Sequence, residues 1–168
     1  HLGLSPTVVS QVQAEVAEIV HCAADTRFKA ALEDARAVNV EGTRRVLEFA
    51  RGCPGLERMA CFSTVHVAGM RTGTIRERFL TSEVGFVNNY ECSKFEMERL
   101  VEAHVQHLPI AIYRLSTIVG NAADGRVTVF GAVHHALRLL YQGLVPMVPG
   151  RSGTLVDLVP LDFAVETV

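Results

Sequence analysis

The chain has 168 residues, 49% hydrophobic, 20% charged and 7% aromatic, which is ample for the core of one domain. Sixteen Lys and Arg against 18 Asp and Glu leave a net charge of −2, so the basic footprint of a protein that grips nucleic acid or an anionic membrane is missing. No apolar run approaches the roughly 20 residues needed to cross a bilayer, and no membrane span is expected.

The first residue is His1, and nothing after it has the charged, apolar and small-residue succession of a secretory signal. The chain is expected to be a cut-down piece or one whose start was not retained. Val16 to Ala24 is rich in β-branched residues and ends in small ones, which predicts a buried strand delivering a tight turn. From Lys29 to Arg51, Leu32, Ala35, Val38, Val46, Leu47 and Ala50 recur between charges, predicting a helix with an interruption near Gly42. Gly52-Cys-Pro-Gly55 is a turn, and Arg58 to Thr64 is a second strand ending in two hydroxyls. Gly69 to Val87, with three glycines and five charges, reads as a loop.

Asn89 to His107 has the strongest helical period in the chain. Phe95, Met97, Leu100, Val101, Ala103 and Val105 share a broad side, with Glu91, Glu96, Glu98 and Glu102 elsewhere. Leu108-Pro109 ends it, Ile110 to Leu115 is a third strand, and a loop leads to a helix from about Val127 to Tyr141. Two short apolar pieces, Leu144 to Val148 and Leu155 to Val159, flank Pro149-Gly-Arg-Ser-Gly153. The last residues, Leu161 to Val168, read as the opening turns of a helix without a capping residue, so the C-terminal end also looks severed.

Apolar strands alternating with long helices predict an α/β fold with a parallel sheet covered on both faces. Ligands in such sheets bind beyond the carboxyl ends of the strands, which directs attention to Cys22–Asp25, Ser63–His66 and Leu115–Ile118. Tyr90 and Lys94 lie one turn apart on one helix face. A neighbouring ammonium stabilises a phenolate and lowers its pKa from near 10, which makes Tyr a general acid or base. Thr64, with Ser63 beside it, would hydrogen-bond the oxygen on which proton transfer occurs.

In this order, hydroxyls at a strand end, then Tyr90-Glu-Cys-Ser-Lys94 opening a helix, then Tyr113-Arg-Leu-Ser-Thr-Ile-Val-Gly120, the chain resembles the extended short-chain dehydrogenase/reductase family along essentially all 168 residues. His21-Cys-Ala-Ala24 resembles the family's strand-end turn at the cofactor, and Asn39-Val-Glu-Gly-Thr43 its Asn-x-x-Gly-Thr helix motif. Ser63-Thr64, Ser116-Thr-Ile-Val-Gly120 and Pro149-Gly150 leading into Leu155 to Phe163 are similar to the thioester reductase and fatty acyl reductase branch. That branch reduces acyl thioesters, on a carrier protein or coenzyme A, to aldehyde or alcohol.

The resemblance implies a Rossmann-like doubly wound sheet, with Thr64, Tyr90 and Lys94 as the catalytic set and Lys94 also on the nicotinamide ribose. Ala23, Ala24, Ser63, Leu115, Ser116 and Thr117 would line the dinucleotide, NADP(H) in preference to NAD(H), and Asn39 would support the site. The family's Gly-x-x-Gly-x-x-Gly turn has no counterpart among the 13 glycines. Residues 1–168 are therefore expected to be the central and C-terminal part of one dinucleotide-binding domain, with N-terminal strands and C-terminal part missing. Residues 143–168 would begin the substrate-side region.

Two other readings stay open. One is a sibling chemistry, an NAD-dependent sugar-nucleotide epimerase, dehydratase or hydroxysteroid-type dehydrogenase; the other is a non-catalytic dinucleotide-sensing or scaffolding module. Cys22, Cys53, Cys61 and Cys92 have spacings that fit no metal or disulfide framework and read as reduced thiols of a cytosolic protein. The seven histidines form no metal frame. Arg76, Glu77 and Arg78 read most simply as a solvated loop, with contact to a carrier's phosphopantetheine or to coenzyme A phosphates as the alternative.

Overall fold

The computed structural model describes residues 3–81, 83–145, 147 and 153–168. They form two compact units, His1–Arg114 and Leu115–Val168. Part of the apolar run ending at Val148, and the whole of Pro149-Gly150, lie outside the described residues.

The first unit opens with helix α1, Pro6–Glu15, which the sequence pattern did not predict. The Ser5 hydroxyl accepts from Val8 N at 3.4 Å and Pro6 begins the first turn, so the cap supplies the start that a β-branched segment lacks by propensity. Strand β1, Glu18–His21, is shorter than the predicted Val16–Ala24, because Val16 caps α1 and the chain leaves the ladder after His21. It pairs in parallel with β2, Arg58–Thr64, in the register His21↔Cys61, and β3, Ile110–Leu115, completes the order β1-β2-β3. The central strand is sealed at Met59, Ala60 and Cys61, which is why it reads as a continuous apolar run.

The predicted long helix is two helices, α2 (Leu32–Asn39) and α3 (Glu41–Arg51), breaking at Val40. α4, Asn89–Glu102, stops short of His107, and the following residues tighten into turns, with His104 N bonded to Val101 O. One core joins α3, β2 and α4 through Leu47, Ala50, Met59, Cys61, Met97 and Val101. A smaller one joins Val67, Leu80 and Phe95 beneath the loop of residues 69–87. That loop closes on itself at Gly69, where φ is 59° and a Cβ would lie 2.2 Å from the Gly85 carbonyl, so no side chain fits.

In the second unit β4 (Thr117–Ile118) and β5 (Leu158–Val159) form a two-stranded parallel sheet. Helix α5 runs from Ala132 to Tyr141, starting later than predicted because Val127, Thr128 and Val129 are β-branched and Gly131 interrupts them. Gly131 N donates to the His134 ring at 3.1 Å. α6, Leu161–Glu166, agrees with the predicted terminal helix, but its end is bonded: the Thr167 hydroxyl donates to Phe163 O at 2.7 Å. Among the described residues no helix is long and apolar enough to cross a membrane.

Candidate active site

The start of α4 is built by its neighbours. Asn88 accepts from Glu91 N at 3.0 Å, while the Glu91 carboxylate accepts from Asn88 Nδ2 and Val87 N, each at 3.0 Å. Asn89 Nδ2 donates to Ala30 O at 3.0 Å, tying the same turn to the segment before α2. Tyr90 is thereby set in the first turn, half-buried, its ring tilted against Phe28 with centroids 5.7 Å apart.

Thr64 ends β2 and caps the single 3₁₀ turn Val65–Ala68, its hydroxyl accepting from His66 N at 3.2 Å. The same hydroxyl lies close enough to the Tyr90 phenol to act on its pKa. Burial pushes that phenol above its ordinary value, the Thr64 hydroxyl pulls it down, and the Glu91 charge pushes it up. The expected lowering by Lys94 therefore does not govern here; desolvation does. Lys94, only 5% exposed, donates to the Phe62 carbonyl at 2.7 Å, and burial lowers its ammonium to about 8. An ammonium has three donors, so two remain for a ligand at this strand end.

A second layer of polar side chains stands behind. The Asn39 carboxamide accepts from Asp25 N (2.7 Å) and donates to Asp25 O (3.0 Å) and Ser93 Oγ (2.8 Å). Ser93 donates to the Tyr90 carbonyl at 2.9 Å. The Thr43 hydroxyl donates to Asn39 O at 2.7 Å, so it accepts from His21 Nε2 at 2.9 Å, which fixes the proton on that nitrogen. Burial and the nearby Lys94 charge both lower the His21 pKa. The side-chain polar atoms of Asn39 are thus already bonded within the protein.

Ser63 points elsewhere than Thr64, as successive strand residues do. Its hydroxyl donates to Glu98 at 2.5 Å, and Glu98 holds the Arg114 guanidinium in a fork at 2.6–3.2 Å. Glu91 and Glu98 are buried, not on the solvated side with Glu96 and Glu102. Their spacing alone could not separate them from surface acids, because the partners of Glu98 lie 16 and 35 residues away.

Ala23 is exposed and Ala24 half-buried in the turn after β1. Leu115, Ser116 and Thr117 belong to the second unit, where Ser116 donates to Asp157 O at 2.7 Å. All four thiols are unpaired; burial pushes Cys61 up to about 11 and also raises Cys53 and Cys92, which makes them poor nucleophiles. Among the described residues no three His, Cys, Asp or Glu side chains cluster as metal ligands.

A sequence model of the family described as male sterility protein matches residues 1–168. The chain is 31% identical over 149 residues to an isonitrile lipopeptide synthase of Streptomyces coeruleorubidus, covering 86% of this chain and 10% of that protein. It is 25% identical over 144 residues to the fatty acyl-CoA reductase wat of Drosophila melanogaster, covering 70% and 28% respectively. The terminal R domain from the myxalamid PKS-NRPS biosynthetic pathway superposes with a TM-score of 0.84 at 30% identity, over 98% of this chain and 42% of that one. The chain thus spans less than half the length of each of these relatives, and its fold is that of a Rossmann-like reductase domain.

Proposed function

This chain belongs to the male sterility protein family, and on that premise we propose that the protein containing it is an NAD(P)H-dependent reductase of acyl thioesters, held on a carrier protein or coenzyme A. The observation that carries the reading is the buried Lys94 ammonium, donating to Phe62 O, one helical turn from the half-buried Tyr90 phenol whose pKa the Thr64 hydroxyl lowers. A phenol, a hydroxyl and an ammonium with two spare donors suit the ribose end of a nicotinamide and a carbonyl oxygen beside it. The family resemblance makes NADPH the preferred form. When bound, it would supply hydride to the thioester carbonyl carbon.

Each residue then has a defined task. Thr64 and Tyr90 hydrogen-bond the carbonyl oxygen as negative charge develops there, and Tyr90 gives it a proton. A phenol held above its ordinary pKa is protonated at neutral pH and so is a donor in the reductive direction. Lys94 holds the ribose, with Ala23 and Ala24 lining the dinucleotide. Asn39 and Ser63 act from behind, since both are bonded to protein groups. The cytoplasm, where its four thiols stay reduced, is the assigned compartment.

The test is NADPH oxidation by the full-length protein with an acyl thioester. Tyr90→Phe should lower kcat by roughly two to four orders of magnitude. Unchanged turnover would reject the assigned proton donor, and reduction of a nucleotide sugar without thioester activity would replace the substrate class.

A further inference from the structure

The loop of residues 69–87 walls three cavities, of about 310, 350 and 270 Å³. They share their walls: Arg78 borders the first two, Arg76 the second and third, and Glu77 and Arg114 the first and third. The third begins at Val65, next to Thr64, and is lined there by Val65, Val67 and Ala68. Together they form one run of shared walls, apolar at Val65, Val67 and Ala68, which follow Thr64 in the sequence, and lined elsewhere by arginines.

The charges along it are unevenly spent. Arg114 is committed to Glu98, and Arg71 gives its guanidinium to the neutral Ala68 carbonyl and Thr81 hydroxyl at 2.9 and 3.2 Å. Arg76 and Arg78, like Arg45, Arg51, Arg58 and Arg138, have no side-chain partner among the described residues, whereas Arg27, Arg36, Arg44, Arg99 and Arg126 each meet a carboxylate. Glu77 is the one acid among the described residues lining these walls. In a chain of net charge −2 this is a local excess of forked donors, the chemistry that recognises phosphate.

We propose that Arg76 and Arg78 bind the phosphate of the substrate's pantetheine arm while the apolar stretch at Val65, Val67 and Ala68 takes the arm toward Thr64 and Tyr90. A pantetheine arm has this polarity, a phosphate at one end and a thioester at the other. The assignment rests on the acyl-thioester reading above. It covers free coenzyme A and a carrier-bound arm, which share that phosphate.

The experiment compares three thioesters of one acyl group in the full-length protein: pantetheine, 4′-phosphopantetheine and coenzyme A. The wild type should favour phosphopantetheine over pantetheine by at least about tenfold in KM, and the preference should shrink as salt screens the arginines. In the double variant Arg76→Ala, Arg78→Ala that preference should fall at least about fivefold. Both side chains are exposed, so the thermal midpoint should stay within about 2 °C. An unaltered preference overturns the proposal. So does an effect confined to the coenzyme A thioester, which would assign the arginines to the nucleotide phosphates. A wild type that reduces none of the three defeats the acyl-thioester reading itself, and the arginine assignment with it.

Discussion

In the first unit Met59, Ala60 and Cys61 are sealed in the sheet, and around them Asn39, Thr43, Ser93, Lys94 and Glu98 are buried with bonded partners. In the second unit Ala164 alone is buried among the described residues, and α5 exposes Leu137, Leu139, Leu140 and Tyr141, the last at 94%. The first unit therefore spends burial on holding polar groups at fixed positions, which is what a proton donor and its neighbours require. The second is held by exposed bonds such as Ser116 to Asp157 O and Ala122 N to Asp162.

The strongest way to break this contrast is Glu98→Ala. It strands the Arg114 guanidinium and the Ser63 hydroxyl, and should destabilise the protein by about 3–5 kcal/mol in denaturant unfolding. A loss below about 1 kcal/mol would mean that apolar packing alone holds the first unit. Asn39→Leu removes the bonds to Asp25 and Ser93 and should cost about 2–3 kcal/mol by the same measurement.

Lys94→Met sharpens the contrast in the opposite direction. Burial lowers the Lys94 ammonium from 10.5 to about 8, so between those values the unfolded chain binds more protons and stability rises with pH. The penalty of burying the charge is complete below about pH 8 and gone above about 10.5. At pH 7 the variant should be more stable by about 1–2 kcal/mol despite losing the bond to Phe62 O, with the gain fading through pH 8 to 10.5. A stabilised but inactive variant would show that this charge is kept at the expense of stability. The smallest effect belongs to the second unit: Leu137→Gln should change stability by no more than about 0.5 kcal/mol. A loss above about 1 kcal/mol would show that this face of α5 is covered in the full-length protein.

Much of the framework was legible because it is written in short-range periodicity. β2 and β3 have the predicted bounds, and α4 begins where Asn88 and Asn89 announce it. α1 was missed because Val8, Val9 and Val12 argue against a helix and only the Ser5 cap argues for one. The burial of Glu91 and Glu98 was missed because acids four or seven residues apart look alike on a helix until their partners are known.

By itself the sequence determined the α/β class, the order of elements in the first unit, and the residue types of the Thr64, Tyr90 and Lys94 set, because these depend on side-chain period and local chemistry. Only the tertiary structure decided how those groups are charged and held. Thr64 and Tyr90 lie 26 positions apart, the bond from Asn39 to Ser93 spans 54, and Lys94 lies 32 beyond its acceptor. Desolvation of the phenol and the ammonium follows from those distant contacts, and no local pattern in the chain encodes it.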